Sequence, residues 1–245
     1  MIVEVYFTPY EIAPDAVAGR TAAVIDVLRA STVCAVAFSN KAKEIYPADS
    51  LQKAEELADR LAGIRPLLCG EREGKIVPGY DLGNSPLEYT PDKIAGRTLI
   101  HCSTNGTVAL AAAAQAGHRF MAGLVNTRAV VEEIARVGLD VALVCGGKEG
   151  TFAIEDAFGA GRIIALLTEY FPEVRLGNDH AGTAEYIYQK NQDDPLTLVQ
   201  DCPHGRYLAG LGFQRDLEIC AQLDTVPVVP RMAGETLIGT RSPTA

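Results

Sequence analysis

The sequence predicts an α/β fold, with mostly parallel or mixed sheets flanked by helices. Two observations carry this. Short apolar runs rich in Val, Ile and Leu recur along the chain, and the segments between them show helical spacing. In order, "IVEVYF" (2–7) and "AAVIDV" (22–27) read as strands, and "VCAVAFSN" (33–40) reads as the first helix. The strand "EIYP" (44–47) leads to "SLQKAEELADRL" (50–61), where Leu and Ala at helical spacing give the clearest helix and Gly63 is placed to stop it. Strands "PLLC" (66–69) and "RTLIHC" (97–102) flank a segment of another kind. "EREGKIVPGYDLGNSPLEYTPD" (71–92) holds three glycines and three prolines with no sustained period, the texture of a long and functional loop. The alternation then resumes: helix 106–115, strand 119–122, helix 127–137, strand 140–145 and helix 154–170, with one further strand candidate at 226–230. From about residue 171 the texture shifts to a mostly helical section. No repeat occurs at a fixed period.

Composition limits what such a fold does. With 245 residues, 48% of them hydrophobic, residues 1–245 can form one unit, or two tightly packed α/β subdomains. The net charge of −9 argues against broad attraction to nucleic acid or to an anionic membrane surface, so any anionic ligand needs a local site. The start "MIVEVYFTPY" lacks the basic character of a secretory signal, and no apolar run approaches the ~18–20 residues that span a bilayer. Six scattered cysteines contain no C-x-x-C pair, which fits a reducing cytoplasm and no zinc site. Tyr186 and Tyr188 could pack in a homo-oligomer interface or line the C-terminal helices.

Three strand-to-helix junctions concentrate polar groups: "VIDVLRAST", "LIHCSTNGT" and "LVCGGKEGTFAIEDAFGAG". Parallel sheets bind ligands at such junctions, where strands end and helix N-termini present free N–H groups. Ser103, Thr104, Asn105, Gly106 and Thr107 could cradle a phosphate, or simply cap and turn the chain. Arg29 offers a bidentate fork with Ser31 and Thr32 beside it, or a salt bridge with a cap. Asp26 lies in an apolar run, where an unpaired carboxylate costs several kcal/mol, so it needs a cation, a metal or several donors. Glu155 and Asp156 either complement a helix dipole or converge with Asp26 on a hard divalent cation. The common phosphoryl-transfer signatures are missing. No cysteine starts a Cys-x5-Arg loop, Leu28 stands where an Asp-x-Asp motif needs an acid, and Lys148 is followed by Glu149 rather than by a Walker hydroxyl. Gly-x-Ser-x-Gly is absent too.

Several long blocks resemble one family: "VIDVLRAST" (24–32), Gly70 to Gly74 as "GEREG", "GYDLGNSPLEY" (79–89), "STNGT" (103–107), "EDAFGAG" (155–161) and "HGRYLAGLGFQRDLEIC" (204–220). They are similar to the 2-phosphosulfolactate phosphatases, magnesium-dependent enzymes of coenzyme M biosynthesis, and they span nearly the whole chain in order. The resemblance implies that family's α/β fold and hydrolysis of (2R)-2-phospho-3-sulfolactate, or of a related phosphorylated 2-hydroxy acid. With it, Asp26, Glu155 and Asp156 are expected to hold Mg²⁺, and Asp26 and Arg29 to act in catalysis. Arg29 and the 103–107 turn would hold phosphoryl oxygens, with Arg72, Asn84, Ser85 and His204 as candidates for the other substrate groups and the 71–89 loop as a lid. Ser31 and Thr32 complete the expected donors. A non-catalytic sensor for a small phosphorylated or sulfonated metabolite is the alternative.

Overall fold

Strands covered by helices on both faces need apolar side chains at every position rather than at alternate ones. Three strands of this chain approach that condition, with only Thr21, Thr98 and His101 polar, in a computed structural model that describes residues 1–13 and 15–241. Thr21–Ile25 (β2), Thr98–Cys102 (β6) and Val141–Cys145 (β8) are buried throughout. The other strands are Ile2–Tyr6 (β1), Glu44–Ala48 (β3), Leu67–Arg72 (β4), Lys75–Ile76 (β5), His118–Ala122 (β7), Arg175–Leu176 (β9), Val228–Ala233 (β10) and Thr236–Arg241 (β11). The helices are Ala30–Ser39 (α1), Leu51–Arg60 (α2), Pro91–Ile94 (α3), Gly106–Ala112 (α4), Thr127–Val137 (α5), Ile154–Tyr170 (α6), Asp179–Asn191 (α7), Pro195–Asp201 (α8), Pro203–Gly210 (α9) and Gln214–Cys220 (α10). Local chemistry sets their ends. The Ser50 hydroxyl accepts from the Lys53 N–H at 3.1 Å and starts α2, and Gly138, at φ 73°, lets the chain turn out of α5.

All the strands join one sheet in the order β5-β4-β6-β3-β11-β10-β7-β2-β8-β1-β9. From β7 to β9 neighbouring strands are parallel, as they are from β3 to β4. The β10–β11 hairpin sits between these two parallel sets and is antiparallel to both β7 and β3. The two sets therefore run in opposite senses, and the hairpin sews them together. Alternation along β2 divides the core: Ala23 and Ile25 pack with α5 and α6, while Ala22 and Val24 pack with α1 and α4. A third cluster seats α2 on β6 through Leu57, Ala54 and Ile100.

The α/β alternation predicted from sequence holds, with four differences. Residues 26 and 27 leave the strand and form the β2–α1 loop, so Asp26 follows the sheet rather than lying in it. Helix α4 ends at Ala112 instead of continuing to 115. The 71–92 segment is not structureless: β4 runs into it as far as Arg72 and residues 82–86 are buried, while 73, 75, 76, 78, 79 and 81 are exposed. The helical section after residue 171 ends at α10 and is followed by the hairpin. Gly234, at φ 64°, occupies the first position of that two-residue hairpin turn, where positive φ is needed. Tyr186 is exposed, whereas Tyr188 packs on Phe158 with ring centroids 5.4 Å apart. Among the described residues no helix is long and apolar enough to cross a membrane.

Candidate active site

The carboxyl ends of β2 and β8 from one parallel set meet those of β4 and β6 from the other, and the loops leaving them enclose a cavity of about 260 Å³. That volume lies at the small end of ligand pockets and suits a small metabolite rather than a polymer. Asp26, Glu71, Arg72, Thr104, Asn105 and His204 line it, with Leu28, Arg29, Asn84, Lys148 and Tyr207 among the remainder.

Asp26 stands where β2 hands over to α1. Its Oδ1 accepts the Ala30 N–H at 3.2 Å, a contact at the positive end of the helix. Its Oδ2 lies against Gly106, where a Cβ would come within 2.6 Å of the oxygen. Only glycine permits β6–α4 to approach that closely. Burial pushes the Asp26 carboxyl up to about 6; His204 and the Ala30 N–H pull the other way, and the nearby Glu71 and Glu155 carboxylates reinforce the rise.

Glu155 and Asp156, at the first turn of α6, are buried behind Asp26 and do not line the cavity. Asp156 holds backbone: Oδ1 accepts from Val27 N–H at 2.8 Å and Oδ2 from Gly147 N–H at 3.0 Å, which ties the β2–α1 and β8–α6 loops together. Burial, with Glu155 and Asp26 beside it, keeps its carboxyl well above the usual range. Glu155 Oε1 lies 3.1 Å from His204 Nδ1, and its Oε2 is buried with no hydrogen-bond partner. The three acids expected to converge do share one electrostatic cluster. They are engaged differently, however, and no group of three or more His, Cys, Asp or Glu side chains among the described residues is arranged to hold a metal ion. The occupied oxygens of Asp156 give it a stapling role and leave Asp26 and the orphaned Glu155 Oε2 as hard oxygen donors. Such donors are what a magnesium site would draw on, since the ion commonly takes one or two carboxylates with waters and a substrate phosphate.

Of the expected donors, Thr104 and Asn105 line the cavity, and Gly106 forms the floor under Asp26. The Thr104 N–H and hydroxyl both donate to Glu71 Oε1, at 2.9 and 2.8 Å, and the Gly74 N–H donates to Glu71 Oε2 at 2.9 Å. Glu71 thus joins the β4–β5 turn to the 103–107 turn. Asn84 also lines the cavity, with its Oδ1 held 3.1 Å from Nε2 of the buried His101, whose pKa burial lowers to about 4. Arg72 reaches the wall while its guanidinium donates to the Glu71 carbonyl at 2.6 Å and to Cys102 Sγ at 3.2 Å.

Five expectations give way to internal bonding. Ser31 Oγ donates to the Val24 carbonyl at 3.3 Å and accepts from Asp26 N–H at 3.1 Å, and Thr32 Oγ1 donates to the Val27 carbonyl at 3.1 Å. Ser103 and Thr107 bond each other: the Thr107 N–H donates to Ser103 Oγ at 3.1 Å, and Thr107 Oγ1 donates to the Ser103 carbonyl at 2.8 Å. Ser85 Oγ donates to Asp216 Oδ1 at 2.7 Å. All five are buried off the cavity: Ser31, Thr32, Ser103 and Thr107 bond within their own strand-to-helix junctions, and Ser85 reaches across to α10. Arg29 lines the cavity without presenting a free fork. Its guanidinium donates to Asp216 Oδ2 at 2.6 Å and to the Gly74 carbonyl at 2.8 Å, and it stacks 4.3 Å from the Phe213 ring centroid. Sequence reasoning missed Asp216, and it passed over Lys148 and Tyr207, whose ammonium and ring centroid lie 4.7 Å apart at the cavity mouth. The third polar junction already contained that lysine. Burial raises the Cys34 and Cys145 thiols, which keeps them protonated core residues.

A cavity of this kind, with a fixed carboxylate and a buried Glu–His pair, can be compared with known proteins. Residues 6–235 match the 2-phosphosulpholactate phosphatase family. A probable 2-phosphosulfolactate phosphatase of Carboxydothermus hydrogenoformans is 41% identical over 211 residues, 86% of this chain and 85% of that protein. One from Synechococcus sp. is 40% identical, covering 92% of this chain and 93% of its own, and one from Clostridium acetobutylicum is 34% identical across 97% of this chain and all of that protein. The match runs through the β2–α1, β6–α4 and β8–α6 loops that build the cavity, and the chain belongs to the 2-phosphosulpholactate phosphatase family, a family of phosphoric monoester hydrolases.

Proposed function

We propose that this chain hydrolyses (2R)-2-phospho-3-sulfolactate to 3-sulfolactate and phosphate, in the cytoplasm and with Mg²⁺. The observation that carries the reading is the joint placement, on one small cavity, of the Asp26 carboxylate, the Thr104–Asn105 turn and a histidine oriented by a buried glutamate. The relatives named for this substrate cover nearly the whole chain, which supports its extension here. The six cysteines are free and buried, in keeping with a reducing compartment.

Phosphoryl transfer asks the protein for positioning and for charge stabilisation more than for covalent chemistry. Asp26 and Glu155 are the residues that would hold magnesium, which when bound supplies Lewis-acid polarisation of the phosphoryl group. Glu155 accepts from His204 Nδ1, so the proton on that ring sits at Nδ1 and Nε2 is the atom left to exchange a proton. Water attacks phosphorus as the bond from phosphorus to the 2-oxygen breaks; Nε2 of His204 takes the proton that this water loses and passes it to the departing 2-alkoxide, so the ring ends the cycle unchanged. Asn105 Oδ1 accepts the Glu149 N–H at 3.0 Å, which fixes the amide so that its Nδ2 is left to donate. Asn84, steadied by His101, is a second amide donor on the wall. Positions that the fold itself holds cost no reorganisation during the reaction.

A panel of phosphorylated 2-hydroxy acids differing at carbon 3, assayed with magnesium, tests the reading. The sulfonate should give a higher kcat/KM than the carboxylate or hydroxyl analogue. Release of phosphate from none of them would favour a sensor over an enzyme, and a preference for the hydroxyl would reassign the substrate.

A further inference from the structure

The proposed substrate carries three anionic groups, whereas the cavity wall holds four carboxylates (Asp26, Glu71, Glu73 and Glu149) against only three permanent cations, Arg29, Arg72 and Lys148. The two arginines are committed elsewhere. Arg29 is matched by the equally buried Asp216, and Arg72 is bonded to the Glu71 carbonyl and to Cys102. Lys148 is different: among the described residues its ammonium has no acidic or hydrogen-bond partner and rests only on the Tyr207 ring.

The backbone under that lysine is fixed. Lys148 N–H donates to the Thr151 carbonyl at 2.9 Å, and the Lys148 carbonyl accepts the Thr151 N–H at 2.9 Å and its hydroxyl at 2.6 Å. On either side, Gly147 N–H donates to Asp156 and Glu149 N–H donates to Asn105. The Tyr207 hydroxyl is itself anchored on the Glu73 carbonyl at 2.9 Å. A half-buried ammonium therefore stands on a rigid base at the cavity mouth, held there by a cation–π contact that is weaker than a charge-assisted hydrogen bond to an anion.

Resting on the functional reading above, we propose that Lys148 is the specificity-determining residue for the 3-sulfonate, moving from the Tyr207 ring onto that group when substrate binds. Its three donors suit a three-oxygen anion without demanding a planar fork. Asn105 and Asp26 line the same cavity and are the groups left for the phosphoryl end.

Calorimetric binding of 3-sulfolactate and of glycerate to the intact wild-type protein, Lys148→Met and Lys148→Arg tests this without turnover. Wild type should bind the sulfonate at least 10-fold more tightly than the hydroxy acid. Lys148→Met should erase most of that preference, and Lys148→Arg should retain part of it. A parallel kinetic arm should show the sulfonate-to-hydroxyl ratio of kcat/KM falling 10- to 100-fold in Lys148→Met, chiefly through KM. A wild type with no preference, or a Lys148→Met protein that keeps it, overturns the proposal. Absence of phosphate release from wild type overturns the phosphatase reading instead, while the binding arm still reports on Lys148.

Discussion

Asp26 was legible as a candidate because an acid among apolar neighbours demands an explanation, and the structure places it as a buried carboxyl group at the positive end of α1. What a linear reading does not reveal is how the neighbouring acids are used. Asp156 and Glu155 are adjacent in sequence, yet one ties down two loops and the other orients His204, a distinction set by the direction of each side chain on the helix. The Asp26 carboxyl is held at about 6 against an ordinary 3.8, so the folded state retains that proton more strongly than the unfolded chain does. Its favourable contribution is complete below the unfolded value, and it is lost as pH rises to about 6, after which the buried charge works against folding. In EDTA, thermal unfolding followed from pH 4 to pH 8 should show wild type losing roughly 1–3 kcal/mol relative to Asp26→Asn. Parallel profiles for the two proteins would mean that Asp26 is not the group that titrates.

At the scale of elements, the polar junctions were visible in the sequence because each is local: a strand, a short turn with hydroxyls and glycine, then a helix. The contacts that join separate elements were not. Arg29, at the entry to α1, meets Asp216 on α10, 187 positions away, and Ser85 on the 82–86 wall completes the trio. No periodicity reports such a pairing. The hairpin was half missed for a related reason, since only Leu237 of β11 is buried and an exposed bridging strand lacks an apolar run. The Arg29–Asp216 pair, 2% exposed on both sides, leaves an unmatched buried guanidinium if the acid is removed. Asp216→Ala should therefore lose about 3–5 kcal/mol in urea unfolding. A loss below about 1 kcal/mol, typical of an exposed ion pair, would show that Arg29 finds another partner or reaches water.

Across the whole molecule, two parallel sets of strands with opposite sense bring four strand ends to one cavity, and the hairpin between β7 and β3 keeps them in one sheet. This arrangement explains why the matching sequence blocks are scattered along the chain: each loop that reaches the cavity leaves a different strand. It also lines the cavity from both sets, with Asp26 and Lys148 from one and Glu71 and Thr104 from the other. Phosphate release from (2R)-2-phospho-3-sulfolactate, compared between wild type and Asp26→Asn in magnesium and in EDTA, tests the account most directly. Wild type with magnesium should turn over, and EDTA should stop it. The asparagine variant should be slower by at least about 100-fold, in keeping with loss of one electrostatic group of the site. Near-normal turnover in Asp26→Asn, or activity that ignores EDTA, would contradict it.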